Sequence, residues 1–263
     1  MNLGLEGKVA LVGGASRGLG YACAEALASE GVSLTICSRH ESAIKTAGER
    51  LRTETGAPVE AVVCDQTSSD EIDKLVSRAM GRYGRIDILI NNTGGPPPGL
   101  FEDQDDLAWQ EAFEALVMSV VRLCRAVIPA MREHRWGRIV TNTSFAVKEP
   151  ADRLVLSNAL RAAVVGLSKT LSREVATDGI TVNCVCPGAF DTERLQSVFE
   201  SEAGASGRTV QAVQAAWEGR IPIGRLSKPE ELAALVAFLC SDRAASITGA
   251  CLPIDGGMIH GLF

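Results

Sequence analysis

Short apolar runs alternate along the chain with longer stretches in which apolar residues recur at helical spacing. Several of the short runs are continuous and rich in β-branched residues, which is typical of strands buried on both faces of a parallel sheet. Seven such runs are predicted to be strands, at residues 8–13, 32–37, 59–64, 86–90, 137–142, 180–186 and 250–254. Helical spacing predicts helices at residues 18–30, 41–53, 70–83, 107–133 and 153–177.

This alternation of strand and helix predicts the fold class. Strands joined by crossover helices form a Rossmann-type, doubly wound α/β sheet, here of seven parallel strands with helices on both faces. No break in composition marks a domain boundary, and one domain of this kind can absorb all 263 residues. We therefore expect a single domain over residues 1–263.

Residues 190–225 depart from this rhythm, because their helical periodicity is weak and glycines interrupt them. The segment follows the carboxyl end of the sixth predicted strand, where doubly wound sheets bind their ligands. It has the place and the composition of a mobile substrate lid. Four apolar side chains of this segment would suit a partly apolar substrate: Phe199, Val210, Val213 and Trp217.

The charge balance and the apolar run lengths narrow the range of partners. The chain has 26 Lys and Arg against 32 Asp and Glu, a formal net charge of −6, which disfavours a nucleic-acid partner. No run reaches the ~18 apolar residues of a membrane-spanning helix, and the first residues lack the pattern of an export signal. These features predict a cytoplasmic protein with no membrane partner.

Eight cysteines and three histidines are candidates for a disulfide or metal site. The cysteines are scattered, mostly inside apolar runs, and none forms a C-x-x-C pair. The histidines lie far from one another in the sequence and beside no cysteine or carboxylate cluster. We expect no metal, and we expect the thiols to serve as small buried hydrophobic groups.

The first predicted strand leads into a glycine-rich loop that opens directly into a helix. Glycines there allow a tight turn and close approach of the backbone to a pyrophosphate, which then faces the positive end of the helix. The loop therefore predicts a dinucleotide site. The residues expected to form it are Gly14, Ser16, Arg17, Gly18, Leu19 and Gly20.

The end of the second predicted strand indicates which dinucleotide is bound. An acidic residue at this position would accept both ribose hydroxyls of NAD and repel a 2′-phosphate. Here the strand is followed by Ser38 and Arg39, with no carboxylate before Glu41. Arg39 and Arg17 are suited to one phosphate group, so NADP(H) is expected in preference to NAD(H). The alternative is that both arginines are solvated surface charges.

The spacing of the glycine loop and four later motifs resemble the short-chain dehydrogenase/reductase family, most closely its 3-oxoacyl-carrier-protein reductases. The later motifs are Asn91-Asn92-Thr93-Gly94, Ser144, Pro187-Gly188 with Thr192, and Asp255-Gly256-Gly257. They occur in the family's order and cover essentially the whole chain. The resemblance implies that Asp65 contacts the adenine and Asn91 the adenosine ribose. It also implies cofactor contacts at Gln66, Thr93, Gly94, Pro187, Gly188 and Thr192.

Compared with the family it resembles, the sequence differs at the catalytic positions. The family uses a serine, a tyrosine thirteen residues later that exchanges a proton with the substrate oxygen, and a lysine four residues beyond. Counted from Ser144, these positions hold Ser157 and Arg161, and Leu116 stands where the family places an asparagine. The chain has only two tyrosines, and both lie in other parts of the predicted fold.

The residues that replace this machinery keep part of its chemistry. Ser144 and Ser157 are suited to polarising a carbonyl as an oxyanion-type pair. Arg161 shares a helical face with Ser157 and can hold ribose hydroxyls, but its pKa is too high for it to relay protons. A serine hydroxyl is a far weaker acid than a phenol, so another proton donor is needed.

Two side chains are candidates for that donor. Lys148, four residues after Ser144, would have a lowered pKa if it were desolvated beside the cofactor and Arg161. The alternative for Lys148 is an exposed loop lysine paired with Glu149. His260 is the second candidate, because a C-terminal tail can reach a neighbouring subunit, and its alternative is a surface residue.

The function expected from these features is an NADP(H)-dependent oxidoreductase that interconverts a carbonyl and a secondary alcohol in a small molecule. The alternative is a catalytically silent NADPH-binding subunit with a regulatory or scaffold role. Halohydrin dehalogenases also resemble the family, but they keep the tyrosine and lose the glycine loop, which is the reverse of this chain. The resemblance further implies a homotetramer or homodimer.

Overall fold

A computed structural model of the chain describes residues 2–262, and it contains one parallel sheet of seven strands in the order 3-2-1-4-5-6-7. The strand order reverses between β1 and β4, where doubly wound sheets open their ligand crevice. The predicted fold class is confirmed. The strands are β1 (Val9–Val12), β2 (Ser33–Ser38), β3 (Val59–Val63), β4 (Ile88–Asn91), β5 (Gly137–Asn142), β6 (Ile180–Pro187) and β7 (Cys251–Ile254).

Helices cover both faces of this sheet. Within the described residues no helix is both long enough and apolar enough to cross a bilayer. The helices are α1 (Gly18–Ser29), α2 (Glu41–Thr55), α3 (Ser69–Tyr83), α4 (Asp106–Phe113), α5 (Ser119–Glu133), α6 (Val155–Glu174), α7 (Glu193–Ser206), α8 (Val210–Glu218) and α9 (Pro229–Cys240).

The continuous apolar strands follow from burial on both sides. Ala10 and Val12 of β1 pack with α1, α2 and α9, whereas Leu11 between them packs with α3, α5 and α6. Alternate side chains of a strand point to opposite faces, so both sets must be apolar. This arrangement leaves the carboxyl ends of the strands as the open edge of the sheet.

The prediction of one continuous helix over residues 107–133 is wrong in one respect. A π-helical turn at Glu114–Met118 separates α4 from α5, and the Ser119 N–H donates to the Glu114 carbonyl. The Ser119 hydroxyl donates to the Ala115 carbonyl at 2.6 Å within the same turn. Such turns add a residue to the helix and occur often at functional sites. This one carries Leu116, which is buried.

The segment at residues 190–225 holds two helices, α7 and α8, with a small hydrophobic core of their own. Phe199 and Val213 are fully buried in that core, and the Phe199 ring packs against Trp217 in a tilted arrangement with ring centroids 5.7 Å apart. The expectation that Phe199 and Val213 face a substrate is therefore wrong. The sequence pattern did not reveal this core, because it forms by packing of α7 against α8 rather than along either helix.

The core of the segment gives a first prediction. Replacing Phe199 with alanine removes a fully buried ring and is expected to cost about 3 kcal/mol or more. The control is Phe101→Ala, since that ring is 74% exposed and its loss should cost little. Urea unfolding followed by tryptophan fluorescence measures both variants. Equal stability of the two would contradict a packed core at this position.

Candidate active site

The site is built at the open edge of the sheet, where the side chain of Asn92 ties two loops together. Its Nδ2 donates to the carbonyls of Gly13 and Gly14, at 3.2 Å each. Its Oδ1 accepts from Asn142 Nδ2 at 2.8 Å. The carbonyl of Asn142 in turn accepts from Arg161 Nη1 at 3.0 Å. One chain of hydrogen bonds thus joins the glycine loop to helix α6.

The glycine loop forms a cradle that side chains would fill. Gly14 has φ +56°, and a Cβ there would lie 2.7 Å from Asn92 Nδ2. Gly18 has φ +59°, and a Cβ on Gly20 would collide with the Gly14 carbonyl. Bare backbone N–H groups at the N-terminus of α1 favour an anion. The residues present therefore fit the pyrophosphate of a dinucleotide.

The two arginines expected to hold a 2′-phosphate differ in their surroundings. Arg39 is exposed beyond β2, next to the buried Ser38, and makes no ion pair within residues 2–262. Arg17 forms an ion pair with Glu193 at the start of α7, and both side chains are mostly exposed. Because exposed pairs contribute little, a phosphate can compete for Arg17.

The expected adenine side lies at the end of β3. Asp65 Oδ1 accepts from the Thr67 N–H at 3.0 Å and from the Thr67 hydroxyl at 2.8 Å. The next residue, Gln66, donates through Nε2 to the Asn92 carbonyl at 3.2 Å. This hydrogen bond holds Gln66 against the start of the loop that continues through Thr93 and Gly94. The hydrogen bond of Gln66 brings the end of β3 to the loop after β4, and contact of these residues with a cofactor stays a prediction.

Asn91 behaves differently from its neighbour Asn92. Its side chain is buried and donates to Thr141 Oγ1 at 3.1 Å, which directs it toward α5 and away from the glycine loop. A narrow cavity lined by Asn91, Leu116 and Arg161 lies behind the site. Three buried amide oxygens of the region have no hydrogen-bond partner among the described residues: Gln66 Oε1, Asn91 Oδ1 and Asn142 Oδ1. Such oxygens fit a ligand rich in hydroxyl donors, as ribose is.

The expected nicotinamide side follows β6. The Gly188 N–H donates to the Ile254 carbonyl at 3.0 Å, and a Cβ on Gly188 would lie 2.7 Å from the Cα of Asp255. Pro187 directs the chain into this contact. Thr192 caps α7 by accepting from the Leu195 N–H at 3.4 Å, which places α7 directly against the glycine loop.

The two serines lie at the starts of helical segments. Ser144 Oγ accepts from the Ala146 N–H at 3.2 Å and so caps the short 3-10 turn after β5. Ser157 is the third residue of α6 and is 7% exposed. Asn158 holds the preceding loop by donating to the Ala151 carbonyl at 2.9 Å and accepting from its N–H at 3.4 Å. The turn and α6 pack against each other.

Lys148 ends the same 3-10 turn and is half-buried. Its ammonium makes no ion pair within residues 2–262, and its positive charge helps to lower the pKa of Cys251. Within that part of the chain Lys148 does not pair with Glu149, the partner considered for it in the sequence analysis. Glu149 instead contacts His260, accepting from its N–H at 2.8 Å, and the His260 side chain is 89% exposed.

A second arginine, Arg194 in the first turn of α7, lies close to Arg161. Burial and the positive charge of Arg194 lower the pKa of Arg161 to about 10. Arg194 donates through Nη1 and Nη2 to the carbonyls of Gly95 and Pro96, at 3.2 and 3.3 Å. These contacts join the lid segment to the loop after β4.

Three residues of the site escaped the sequence pattern: Asn92, Asn142 and Arg194. Asn92 stands in the quoted Asn-Asn motif, and that pairing was the available signal for it. Asn142 reads as the last residue of a strand, and Arg194 as an ordinary helix charge. Their contacts join segments 50 to 99 residues apart, which local spacing does not reveal.

The cysteines are scattered through the described residues. Among residues 2–262, no three His, Cys, Asp or Glu side chains are grouped to hold a metal ion. All eight thiols are free, and every one except Cys251 is buried. Cys251 Sγ lies 3.1 Å from Cys186 Sγ. Hydrogen bonding from the Cys186 thiol, followed by the charge of Lys148, lowers the pKa of Cys251 to about 7.

Comparison with known proteins gives matches over almost the whole chain. A family model described as enoyl-(acyl carrier protein) reductase matches residues 14–259. The putative ketoacyl reductase of the monensin polyketide synthase from Streptomyces virginiae is 38% identical over 253 residues, which are 95% of this chain and 97% of that protein. The 3-oxoacyl-[acyl-carrier-protein] reductase FabG of Escherichia coli is 35% identical over 256 residues, covering 97% and 99%.

One solved structure has a similar fold and a level of sequence identity like that of the two reductases above. L-sorbose reductase from Gluconobacter frateurii, in complex with NADPH and L-sorbose, superposes with a TM-score of 0.96. The sequences are 33% identical, and the match covers 100% of each chain. The similarity therefore includes the lid segment as well as the sheet.

The glycine cradle gives a prediction with a matched control. Gly14 and Gly7 both have positive φ, but a Cβ on Gly7 would meet nothing within 4 Å. Both alanine variants should lose about 1 kcal/mol from backbone strain, and Gly14→Ala should lose more because its Cβ would collide with Asn92. Only Gly14→Ala should also lose NADPH binding, measured by the fluorescence of the bound nucleotide. Equal NADPH affinity in the two variants would rule out the cradle as the pyrophosphate site.

The surroundings of Cys251 give a third prediction. Alkylation by iodoacetamide requires the thiolate, so its rate at Cys251 should rise with pH and reach half its maximum near pH 7. Lys148→Met removes a positive charge and should move that midpoint to higher pH, whereas Lys74→Met on α3 should not. Peptide mass mapping identifies the labelled cysteine. An unchanged midpoint in Lys148→Met would show that Lys148 does not face Cys251.

Proposed function

The chain belongs to the short-chain dehydrogenase/reductase family, and from this membership we propose that it is an NADPH-dependent reductase of the 3-oxoacyl-reductase type. It is an NAD(P)-dependent oxidoreductase of that family, and its proposed reaction interconverts a carbonyl and a secondary alcohol. The observation that carries the proposal is the hydrogen-bond chain from the Gly14 cradle through Asn92 and Asn142 to Arg161. It holds the expected cofactor loop and the expected catalytic helix in one rigid frame.

The preference for NADPH over NADH is supported by Arg39. Its guanidinium lies at the end of β2 without a carboxylate partner in residues 2–262, so it is available for a 2′-phosphate. Arg17 joins it when Glu193 is displaced. The relative L-sorbose reductase was crystallised with NADPH, which agrees with this preference.

The proposed chemistry assigns a role to each polar residue of the cleft. A bound nicotinamide supplies the hydride. Ser144 and Ser157 donate hydrogen bonds to the carbonyl oxygen and stabilise the negative charge that develops on it. Arg161 adds positive charge and holds ribose hydroxyls. Because neither hydroxyl releases its proton readily at neutral pH, Lys148 is proposed to donate the proton that completes the alcohol.

A second candidate function is a catalytically silent NADPH-binding subunit. The observation in its favour is the pair of replaced groups: a serine hydroxyl at position 157 and the apolar, buried Leu116 at the asparagine position. Both changes remove the family's route for protons while leaving the cofactor cradle intact. Turnover of any carbonyl substrate by the purified protein excludes this candidate.

The proposal includes a cytoplasmic homo-oligomer, either a tetramer or a dimer. Eight free thiols suit a reducing compartment. Helix α4 exposes the large apolar side chains Leu107 and Phe113, at 60% and 42%, and such side chains are suited to contact with a second copy.

The test is to follow the fluorescence of bound NADPH as ketones, aldehydes and 3-oxoacyl thioesters are added. Oxidation of NADPH is expected with at least one of them, and more slowly with NADH. Ser144→Ala should lower kcat by roughly 100- to 1000-fold, the effect of losing one oxyanion donor. Ser29→Ala on α1 is the control and should not change kcat.

The outcomes separate the two candidates. NADPH that binds but is never oxidised supports the silent subunit. Failure to bind NADPH contradicts both candidates. Full activity of Ser144→Ala leaves the reductase standing but removes Ser144 from its mechanism.

A further inference from the structure

Two thiols lie together where the last two strands of the sheet pair. Cys251 Sγ, at the start of β7, is 3.1 Å from Cys186 Sγ, near the end of β6. Cys251 is partly exposed, whereas Cys186 is buried. Cys186 Sγ also lies 3.3 Å from the hydroxyl oxygen of Thr143, the residue before Ser144. The pair therefore connects the protein surface with the turn that carries the proposed catalytic serine.

The two thiols differ in reactivity because their environments differ. The hydrogen bond from the Cys186 thiol lowers the pKa of Cys251 to about 7, and the same contact together with burial raises the pKa of Cys186. The thiolate is the form of cysteine that attacks an oxidant. Cys251 is thus the nucleophile of the pair, and it is also the thiol that a small oxidant reaches from solvent. Cys186 is placed to react second.

We propose that Cys251 and Cys186 form a modification site at which hydrogen peroxide oxidises the two thiols to a disulfide. The Cys251 sulfur first attacks one peroxide oxygen, the O–O bond breaks, and the departing hydroxide takes up the proton that the thiol released. The Cys186 sulfur then attacks the sulfenic acid on Cys251, the S–O bond breaks, and the hydroxyl leaves as water with the Cys186 proton. The two thiols lose two electrons and the peroxide gains them. The pair takes no part in the proposed reductase reaction, so this site is additional to it.

The strand register shows that this disulfide requires movement of β7. Cys251 stands opposite Cys184, and Cys186 stands opposite Pro253. The two bonding residues are offset by two positions, so their Cα atoms are about 8 Å apart, from ~6.6 Å along the strand and ~4.8 Å between strands. A disulfide bridges Cα atoms only up to about 7 Å apart unless the backbone moves. Strand β7 can make this shift, because it is the short last strand of the sheet and within residues 2–262 pairs with β6 alone.

A shift of β7 reaches the expected nicotinamide side of the cleft. The carbonyl of Ile254, the last residue of β7, accepts from the Gly188 N–H at 3.0 Å. The next residue, Asp255, packs so closely on Gly188 that a Cβ on this glycine would lie 2.7 Å from the Asp255 Cα. Drawing Cys251 toward Cys186 moves both neighbours of Gly188 along the strand. Oxidation by peroxide therefore loosens Gly188, and a dithiol that reduces the strained disulfide restores the contact.

The test treats the purified protein with hydrogen peroxide, blocks the remaining thiols with iodoacetamide under denaturing conditions, and maps tryptic peptides without reduction. The expected product is the Cys251 peptide linked to the Cys186 peptide, and the link should disappear with dithiothreitol. No lysine or arginine separates Cys184 from Cys186, so fragmentation of the linked peptide between them identifies the bonded sulfur. The other cysteines are buried and should be recovered as blocked thiols.

Variants assign the role of each thiol. Cys251→Ser removes the nucleophile and should abolish the linked peptide. Cys186→Ala should leave Cys251 as a sulfenic acid, which dimedone traps. Cys184→Ala is the matched control and should still form the link. If either variant of a buried cysteine fails to fold, Cys251→Ser and the fragmentation of the wild-type peptide still decide the assignment.

Movement of β7 is measured by hydrogen exchange, which does not depend on enzymatic activity. In the oxidised wild type the Gly188 amide should exchange roughly 5- to 10-fold faster, the effect of losing one hydrogen bond. With an active carbonyl substrate, peroxide should also slow NADPH oxidation roughly 100-fold, because a displacement of about 1 Å has an effect of that size. Cys251→Ser should show neither change after peroxide.

Three results overturn the inference. The first is a sulfinic acid on Cys251 with Cys186 recovered as a blocked thiol. The second is a link from Cys251 to Cys184, or a link between two copies of the chain on a non-reducing denaturing gel. The third is unchanged exchange at Gly188 in the linked protein.

Two further outcomes distinguish this inference from the proposed function. If the disulfide forms and Gly188 exchanges faster but no carbonyl compound is reduced, the thiol site stands and the proposed function fails. If carbonyl compounds are reduced but peroxide leaves Cys251 and Cys186 as thiols, the inference fails and the reductase remains.

Discussion

The amide of Asn92 is the contact on which the rest of the site depends. It donates to the carbonyls of Gly13 and Gly14 and accepts from Asn142, so three crossover loops meet at one planar group. The amide occupies the space that a Cβ on Gly14 would need. The glycine loop and the asparagine motif therefore depend on each other. Gly14 has no room for a side chain because the Asn92 side chain, 78 residues further along the sequence, fills that space.

This network fixes geometry more than it adds stability. A neutral hydrogen bond contributes about 1 kcal/mol, but a buried amide left without partners costs more than that. The sheet holds Asn142 at the end of β5, and Asn142 holds both Asn92 and Arg161. Hydride transfer depends on placement to within a fraction of an ångström, and a chain of obligatory partners provides that placement. The same region leaves buried amide oxygens of Gln66, Asn91 and Asn142 without hydrogen-bond partners among the described residues.

The sequence pattern predicted the sheet well because a parallel sheet buried on both faces requires continuous apolar strands. Strand β5 was placed at residues 137–142, which are its observed bounds. The π turn at Glu114–Met118 was not predicted, since its single extra residue interrupts the apolar pattern only once within one long helical stretch. The core at Phe199 and Val213 was also missed, because it forms by packing between α7 and α8, which periodicity along one helix does not encode. The positions of Asn142 and Arg194 depend on contacts between distant segments, which periodicity does not encode.

The replacement of a phenol by Ser157 changes what the cleft can do in a reaction. A phenol beside a lysine both stabilises and protonates a developing oxyanion, whereas a serine only donates a hydrogen bond to it. The guanidinium of Arg161 stays charged at neutral pH, although burial and Arg194 lower its pKa to about 10. In the proposed mechanism this charge stabilises the oxyanion, and a different group, Lys148, donates the proton. Hydride transfer to a carbonyl leaves an alkoxide that must be protonated. In the proposed mechanism the serine hydroxyls and Arg161 stabilise that alkoxide until Lys148 protonates it, and the expected absence of the tyrosine is then compatible with the proposed reduction.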